Sequence, residues 1–196
     1  MELSLDLNRQ YTYADYLTWA DGKMRELLNG FIRLMSPAPT LKHAVISRKM
    51  STAMVNFVDR NGGNCQVFYA PFDVRFPKNP EKTADDQIYT VVQPDICVVC
   101  DLSKLSERGC LGAPDMVIEI LSLSSQRYDF RDKFNIYEAG GVKEYWVVSP
   151  KEKGINVFIL QDNGKYSDGA VYEGNTKVPV QTLEGLSIDT EALFKD

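Results

Sequence analysis

The chain has 196 residues, 44% of them hydrophobic and 25% charged, a balance that suits one globular domain over residues 1–196 and excludes intrinsic disorder. Its apolar runs, such as "ICVVC" and "MVI", are far too short to cross a bilayer, and "MELSLDLNRQ" carries acids where a secretory leader has basic and then apolar residues. The expectation is a cytoplasmic protein with no membrane span. Its net charge of −5 disfavours broad phosphate binding, although a carboxylate site adds negative charge of its own.

In "YTYADYLTWAD", Thr12 is placed to cap a helix over residues 12–20, with Asp15 at its third position. Two apolar arms around Asn29-Gly30 predict a hairpin that puts Glu26 on a strand. "SPAPT" then breaks the chain. Thr40 caps a second helix that runs to "NGGN", with Ile46, Met50, Ala53 or Met54 and Phe57 as its apolar stripe and His43 in its first turn. "CQVFYAPFDVRF" predicts a strand bent at Pro71, and "PKNPEKTADDQIYT" a mobile loop. "VVQPDICVVCD" and "PDMVIEILS" predict two more strands, and residues 125–139 a helix that stops at Gly140-Gly141. "VKEYWVVS" and "INVFILQ" are strands, followed by short strands and a final turn at "IDTEALF". This is an α+β or mixed α/β pattern.

Of the four cysteines, Cys97 and Cys100 lie in one strand-like run whose alternation points them to opposite faces. With a single histidine and no second C-x-x-C, buried thiols are expected rather than a zinc site.

Glu119 interrupts an apolar strand. A carboxylate there must face solvent or meet a positive partner, because burying it alone costs several kcal/mol. Asp95 opens a strand with the same Pro-Asp dipeptide that opens the strand of Glu119, at Pro94-Asp95 and Pro114-Asp115. If the two strands are neighbours, Asp95 and Glu119 meet and need a divalent cation or a shared proton. The plainer alternative has Asp95 capping a turn and Glu119 facing solvent from an edge strand. In the following helix, Asp129, Lys133 and Tyr137 recur every four residues and line one face. Lys133, fourteen residues after Glu119, can return its ammonium to the carboxylates or pair with Asp129 at the surface.

The succession "RELLNG", "SPAPTLKH", "QPDICVV", "PDMVIEILSLSS" and "YDFRDKFNIYEAGGVKEYWVVSP" resembles the Uma-two family of restriction endonucleases, which is common in cyanobacteria, over roughly residues 12–190. The resemblance implies a restriction-endonuclease-like fold of the PD-(D/E)xK superfamily, with Asp95 and Glu119 as its two acids. The superfamily's lysine belongs two residues after the second acid, where this chain has Leu121. The family pattern moves that lysine to Lys133, makes Glu26 an additional acid and adds His43 as a further polar member, which a structural cap explains equally well. Leu123 for a common proline, "NG" for "DG" in the hairpin and Ser149 for a usual aspartate are departures, and none removes a candidate ligand.

The implied activity is metal-assisted hydrolysis of phosphodiester bonds in DNA, by a homodimer where both strands are cut. Asp95, Glu119 and the Ile120 carbonyl would hold Mg²⁺ or Mn²⁺. Lys133 would act on the attacking water or the phosphoryl oxygens, Glu26 would assist, and Asp129 and Tyr137 would fix the lysine's rotamer. An inactive nuclease-fold binding or assembly module is the rival reading, and hydrolysis of another phosphoester such as RNA a third.

Overall fold

The computed structural model of the chain describes residues 5–35, 38–79, 81–122 and 128–195, with 128–130 as backbone alone. The first helix, α1 (Tyr13–Tyr16), is a single turn closed by a reciprocal cap between Thr12 and Asp15. It is shorter than the expected 12–20 because Thr18 and Trp19 donate to carbonyls three residues back, which tightens the chain out of the α-helix. The hairpin of β1 (Arg25–Leu28) and β2 (Phe31–Leu34) turns on Asn29 and Gly30, both left-handed at φ 53° and 90°. In α2 (Leu41–Asn61), the Thr40 hydroxyl accepts the His43 N–H, Gly62 at φ 65° ends the helix, and Ile46, Met50 and Met54 are buried.

Two runs expected as single strands each divide between sheets. "CQVFYAPFDVRF" becomes β3 (Gln66–Tyr69) and β4 (Val74–Phe76), parted at the cis bond before Pro71. "VVQPDICVVCD" becomes β5 (Thr90–Val92) and β6 (Ile96–Val99), because Pro94 has no N–H to give a ladder. The intervening polar segment is anchored, contrary to the mobile loop expected: it forms a 3-10 turn at Asp85–Gln87, and the buried Ile88 accepts the Tyr13 N–H at 2.8 Å.

After the hairpin β7 (Leu105–Ser106) and β8 (Gly109–Leu111) come β9 (Met116–Ile120), α3 (Tyr128–Gly140), β10 (Glu144–Ser149), β11 (Gly154–Ile159) and β12 (Ala170–Glu173). The small pair β13 (Lys177–Pro179) and β14 (Ser187–Asp189) and the helix α4 (Thr190–Phe194) follow. Among the described residues one mixed sheet runs β2-β1-β5-β4-β8-β7 and a second β12-β11-β10-β9-β6-β3. Strands β9 and β10 are parallel and joined through α3, so β9 is a central strand rather than an edge.

Alternation along β9 and β10 divides the core. Met116, Ile118, Ile120, Trp146 and Val148 pack with α2, whereas Val117, Tyr145 and Val147 pack with Tyr137 of α3 and with the first sheet. Glu119, between Ile118 and Ile120, is thereby directed to the α3 side. The fold is mixed α+β, as expected.

Cys100 corrects the expectation of four thiols. The register of Gln66 with Val99 sets Cys65 opposite Cys100, and the two form a disulfide. Cys97 and Cys110 are buried thiols, and Cys97 faces away from Cys100. No helix among the described residues is long and apolar enough to cross a membrane.

Candidate active site

Antiparallel pairing of β6 with β9 decides which acids meet. Ile96 faces Ile118 and Val98 faces Met116, so one step outward Asp95 comes opposite Glu119, while Asp115 comes opposite Val99 at the far end. The Pro-Asp dipeptides are twins in structure too. Asp95 Oδ2 accepts the Ile120 N–H at 2.7 Å, and Asp115 Oδ2 accepts the Cys100 N–H at 2.7 Å, so each aspartate holds the end of the other's strand. The surroundings then differ. Asp115 Oδ1 takes the exposed ammonium of Lys143 at 2.7 Å, whereas Asp95 Oδ2 also meets His43 Nε2 at 3.2 Å, at the start of α2.

Lys133 is brought over the acids by α3, whose Tyr137, Phe134 and Ile136 pack into the core on the same side of the sheet. Its ammonium lies 2.9 Å from Glu26 Oε1 and 3.0 Å from Glu119 Oε1, with only 12% of its side chain exposed. Tyr137 donates its hydroxyl to Glu119 Oε1 at 2.6 Å. Tyr137 thus touches the glutamate directly, where it was expected to steady the lysine. The side chain of Asp129 lies outside the described residues. Leu121, two residues after Glu119, is partly buried in the apolar cluster under α3.

Gln93 was not singled out in the sequence. Its N–H donates to Glu26 Oε1 at 2.8 Å, and its side-chain amide donates to Asp73 at 2.8 Å, where the hydroxyls of Tyr13 and Tyr16 also converge. It was hidden because "VVQPD" gives the periodicity of one uninterrupted strand. Only the crossing between sheets turns Gln93 toward Glu26.

The electrostatics follow from two carboxylates sharing one ammonium, with a third carboxylate held by His43, in a largely dry place. Burial pushes the Glu119 carboxyl up to about 7; Lys133 opposes the rise, Asp95 and Glu26 add to it, and the Tyr137 hydrogen bond opposes it. Lys133 stays charged: burial works against its ammonium, but Glu119 and Glu26 outweigh that and raise it above the ordinary lysine value. The hydrogen bond to Asp95 raises His43 against its own burial, with further help from the charges of Asp95 and Glu119.

The hydrogen bonds above use Oδ2 of Asp95 and Oε1 of Glu119. Two neighbouring carboxylates beside the backbone at Ile120 suit a hard divalent cation that takes one or two carboxylates and completes its shell with water. Among the described residues no group of three or more His, Cys, Asp or Glu side chains is arranged to hold a metal, so a cage made wholly of side chains is not what this site offers.

These groups form the floor of a cleft of about 1000 Å³ walled by α2 and by the β1–β2 hairpin, with Tyr69, Ala70 and Pro71 also on its lining. Arg33 on β2 pairs with Asp132 of α3 at 3.1 Å beside it.

The whole arrangement has relatives. An uncharacterized protein of Synechocystis sp. (strain ATCC 27184 / PCC 6803 / Kazusa), slr1290, is 26% identical over 184 residues, covering 92% of this chain and 90% of that one. The crystal structure of a putative nuclease belonging to DUF820 from Anabaena variabilis ATCC 29413 superposes with a TM-score of 0.73 at 22% identity, over 94% of this chain and 97% of that one, which establishes a shared fold. The model of the Uma2 family, described as "Putative restriction endonuclease", matches residues 13–191, and the chain belongs to that family.

Proposed function

We propose that the protein is a divalent-metal-dependent endonuclease acting on DNA. The observation that carries this reading is the ammonium of Lys133 lying 2.9 Å from Glu26 and 3.0 Å from Glu119 on the floor of a cleft that Asp95 also lines. A structural ion pair needs one partner. Here one lysine serves two acids, beside a third acid that His43 bonds, and a cation held among these carboxylates would offset their excess negative charge.

Asp95 and Glu119, with the Ile120 carbonyl, would hold Mg²⁺ or Mn²⁺. Such a cation, when bound, acidifies water and offsets phosphoryl charge. Lys133 remains cationic beside it and would stabilise oxygens of the scissile phosphate. Glu26 keeps the lysine extended toward the cleft, and Gln93 fixes Glu26. His43, bonded to Asp95 Oδ2, would fix that carboxylate's orientation. Cutting both strands with one such site per chain calls for a homodimer, which sedimentation would reveal.

Cleavage of plasmid and oligonucleotide DNA in Mg²⁺ or Mn²⁺ tests the reading. Asp95→Ala, Glu119→Ala and Lys133→Ala should each lower the rate by roughly 100-fold or more, and activity surviving Asp95→Ala and Lys133→Ala would sink it. The net charge of −5 favours a second reading, an inactive nuclease fold that serves as a binding module. Calorimetric titration separates the two: Mn²⁺ binding that disappears in Glu119→Ala supports the enzyme, and no binding in the parent chain supports the module.

A further inference from the structure

We infer that Arg33 binds a backbone phosphate of the substrate, and that Asp132 occupies the arginine until that phosphate displaces it. The inference rests on the endonuclease reading for the nature of the substrate. What it adds is an anion site in the same cleft.

The hairpin places Arg33. In the register of β1 with β2, Leu27 faces Ile32 and Glu26 faces Arg33. Leu27 and Ile32 are buried with Tyr11, Tyr13 and Val91 on one face of the sheet, so alternation turns Glu26 and Arg33 to the other. On that face Glu26 reaches Lys133 at 2.9 Å, and Arg33 reaches Asp132, the preceding residue of α3, at 3.1 Å. Cross-strand neighbours thus meet successive helix residues. Arg33 lines the cleft together with Glu26 and Lys133.

The two ion pairs differ in what they can release. Lys133 serves both Glu26 and Glu119 and has only 12% of its side chain exposed, so parting it from them leaves covered carboxylates without a cation. Arg33 and Asp132 have 48% and 46% of their side chains exposed, and a pair so wet is held by little free energy. Its partner is therefore exchangeable. The bond to Asp132 is made through Nη2, and the planar fork of an arginine matches two phosphate oxygens at once. A phosphodiester entering a cleft lined by Glu26, Asp95 and Glu119 meets negative charge, and Arg33 is a cation it can take without unmaking the floor. Asp132 acts as the brake, because its carboxylate stands where the phosphate would bind.

Fluorescence anisotropy of the full chain with a labelled duplex oligodeoxynucleotide tests this, in Ca²⁺ with a gel check that the duplex stays intact. Arg33→Ala should weaken binding roughly tenfold and lower the slope of log affinity against log salt by about one. Arg33→Lys should restore the slope but only part of the affinity, since it keeps the charge and loses the fork. Asp132→Asn should tighten binding roughly threefold in the parent chain and not at all in Arg33→Ala, because the aspartate acts through the arginine. Lys143→Ala, at the far end of β9 and β10, is the control and should leave binding unmoved. In Mg²⁺ the loss in Arg33→Ala should fall on KM, with kcat held within about twofold. Both residues of the pair are half-exposed, so an unchanged melting temperature shows that the variants fold. No duplex binding by the parent chain, a loss in Arg33→Ala no larger than in Lys143→Ala, or a gain from Asp132→Asn that persists without Arg33 would overturn the inference. Cleavage with a KM indifferent to Arg33→Ala would overturn it and leave the endonuclease reading standing. Binding that depends on Arg33 and Asp132 as stated, without cleavage, would do the reverse.

Discussion

Glu144 and Glu119, on neighbouring strands, show what separates a structural acid from a candidate functional one. Glu144 on β10 is 1% exposed, and its oxygens accept the Trp146 indole N–H and the backbone N–H groups of Gln181 and Thr182. Those donors belong to fixed backbone and core, and they satisfy the carboxylate completely. Glu119 is held instead by Lys133 and Tyr137 and opens onto the cleft. The lysine is the element on which both Glu26 and Glu119 depend. Lys133→Met should therefore lower stability by about 3 kcal/mol in denaturant unfolding, because it leaves the buried Glu26 and the largely covered Glu119 without their cation. Adding Glu26→Gln should recover part of that loss, and a strictly additive double variant would show that the three residues are uncoupled. Asp115 gives a pH test. Burial raises its carboxyl, but the hydrogen bonds from Lys143 and the Cys100 N–H, with the charge of Lys143, outweigh burial and hold it below the usual range. A depressed folded value stabilises above the unfolded value of about 3.9 and is lost as pH falls through the folded one. The stability gap between the parent and Asp115→Asn should be about 1 kcal/mol at neutral pH, most of it from the charge on the bond to the Cys100 N–H, and should close on acidification below about pH 4. The exposed lysine adds little.

The helices illustrate how much a local rule can fix. Thr40 caps α2 and Gly62 ends it as the sequence indicates, since N-cap and left-handed C-terminal residues act within one turn. The same hydroxyl accepts the His43 N–H, tying the cap to the residue that touches Asp95. Thr40→Ala should cost about 1 kcal/mol, measured by thermal unfolding. The period of α3 was equally legible: Lys133 and Tyr137, four residues apart, both reach Glu119. Their common target was not legible in periodicity, which says which residues share a face and nothing about what the face meets. Leu121 and Lys133 divide one side of β9 between an apolar strand residue and a helix-borne ammonium. Residues 119 and 121 point to the same side of β9, and α3 packs on that side, so a helix-borne ammonium reaches the carboxylate while leucine joins the apolar cluster. The runs "VVQPDICVVCD" and "CQVFYAPFDVRF" each look like one strand and form two for the same reason. Strand propensity is local, and the division of each run between two sheets is set by partners far along the chain.

At the scale of the molecule, two mixed sheets enclose a shared apolar layer, and the site lies where β6 and β9 of one sheet end beside β1 of the other. The Cys65–Cys100 disulfide links the start of β3 to the end of β6 across a sequence separation of 35. Replacing both cysteines by serine should lower the unfolding free energy by about 2–4 kcal/mol, the usual worth of closing such a loop, and an unchanged value would show that it adds nothing under the conditions used. By itself the sequence determined the mixed α+β class, the caps and hairpin turn, the apolar face of α2 and the out-of-place charge of Glu119. Each of these depends on residues within a few positions of one another. Only the tertiary structure decided that Asp95 rather than Asp115 stands opposite Glu119, that Gln93 holds Glu26, and that Cys100 is bonded to Cys65. Those outcomes depend on the register of the β6–β9 and β3–β6 pairs and on the crossing at Pro94. Register is chosen by the packing of both faces of a sheet at once, which no single stretch of the chain contains.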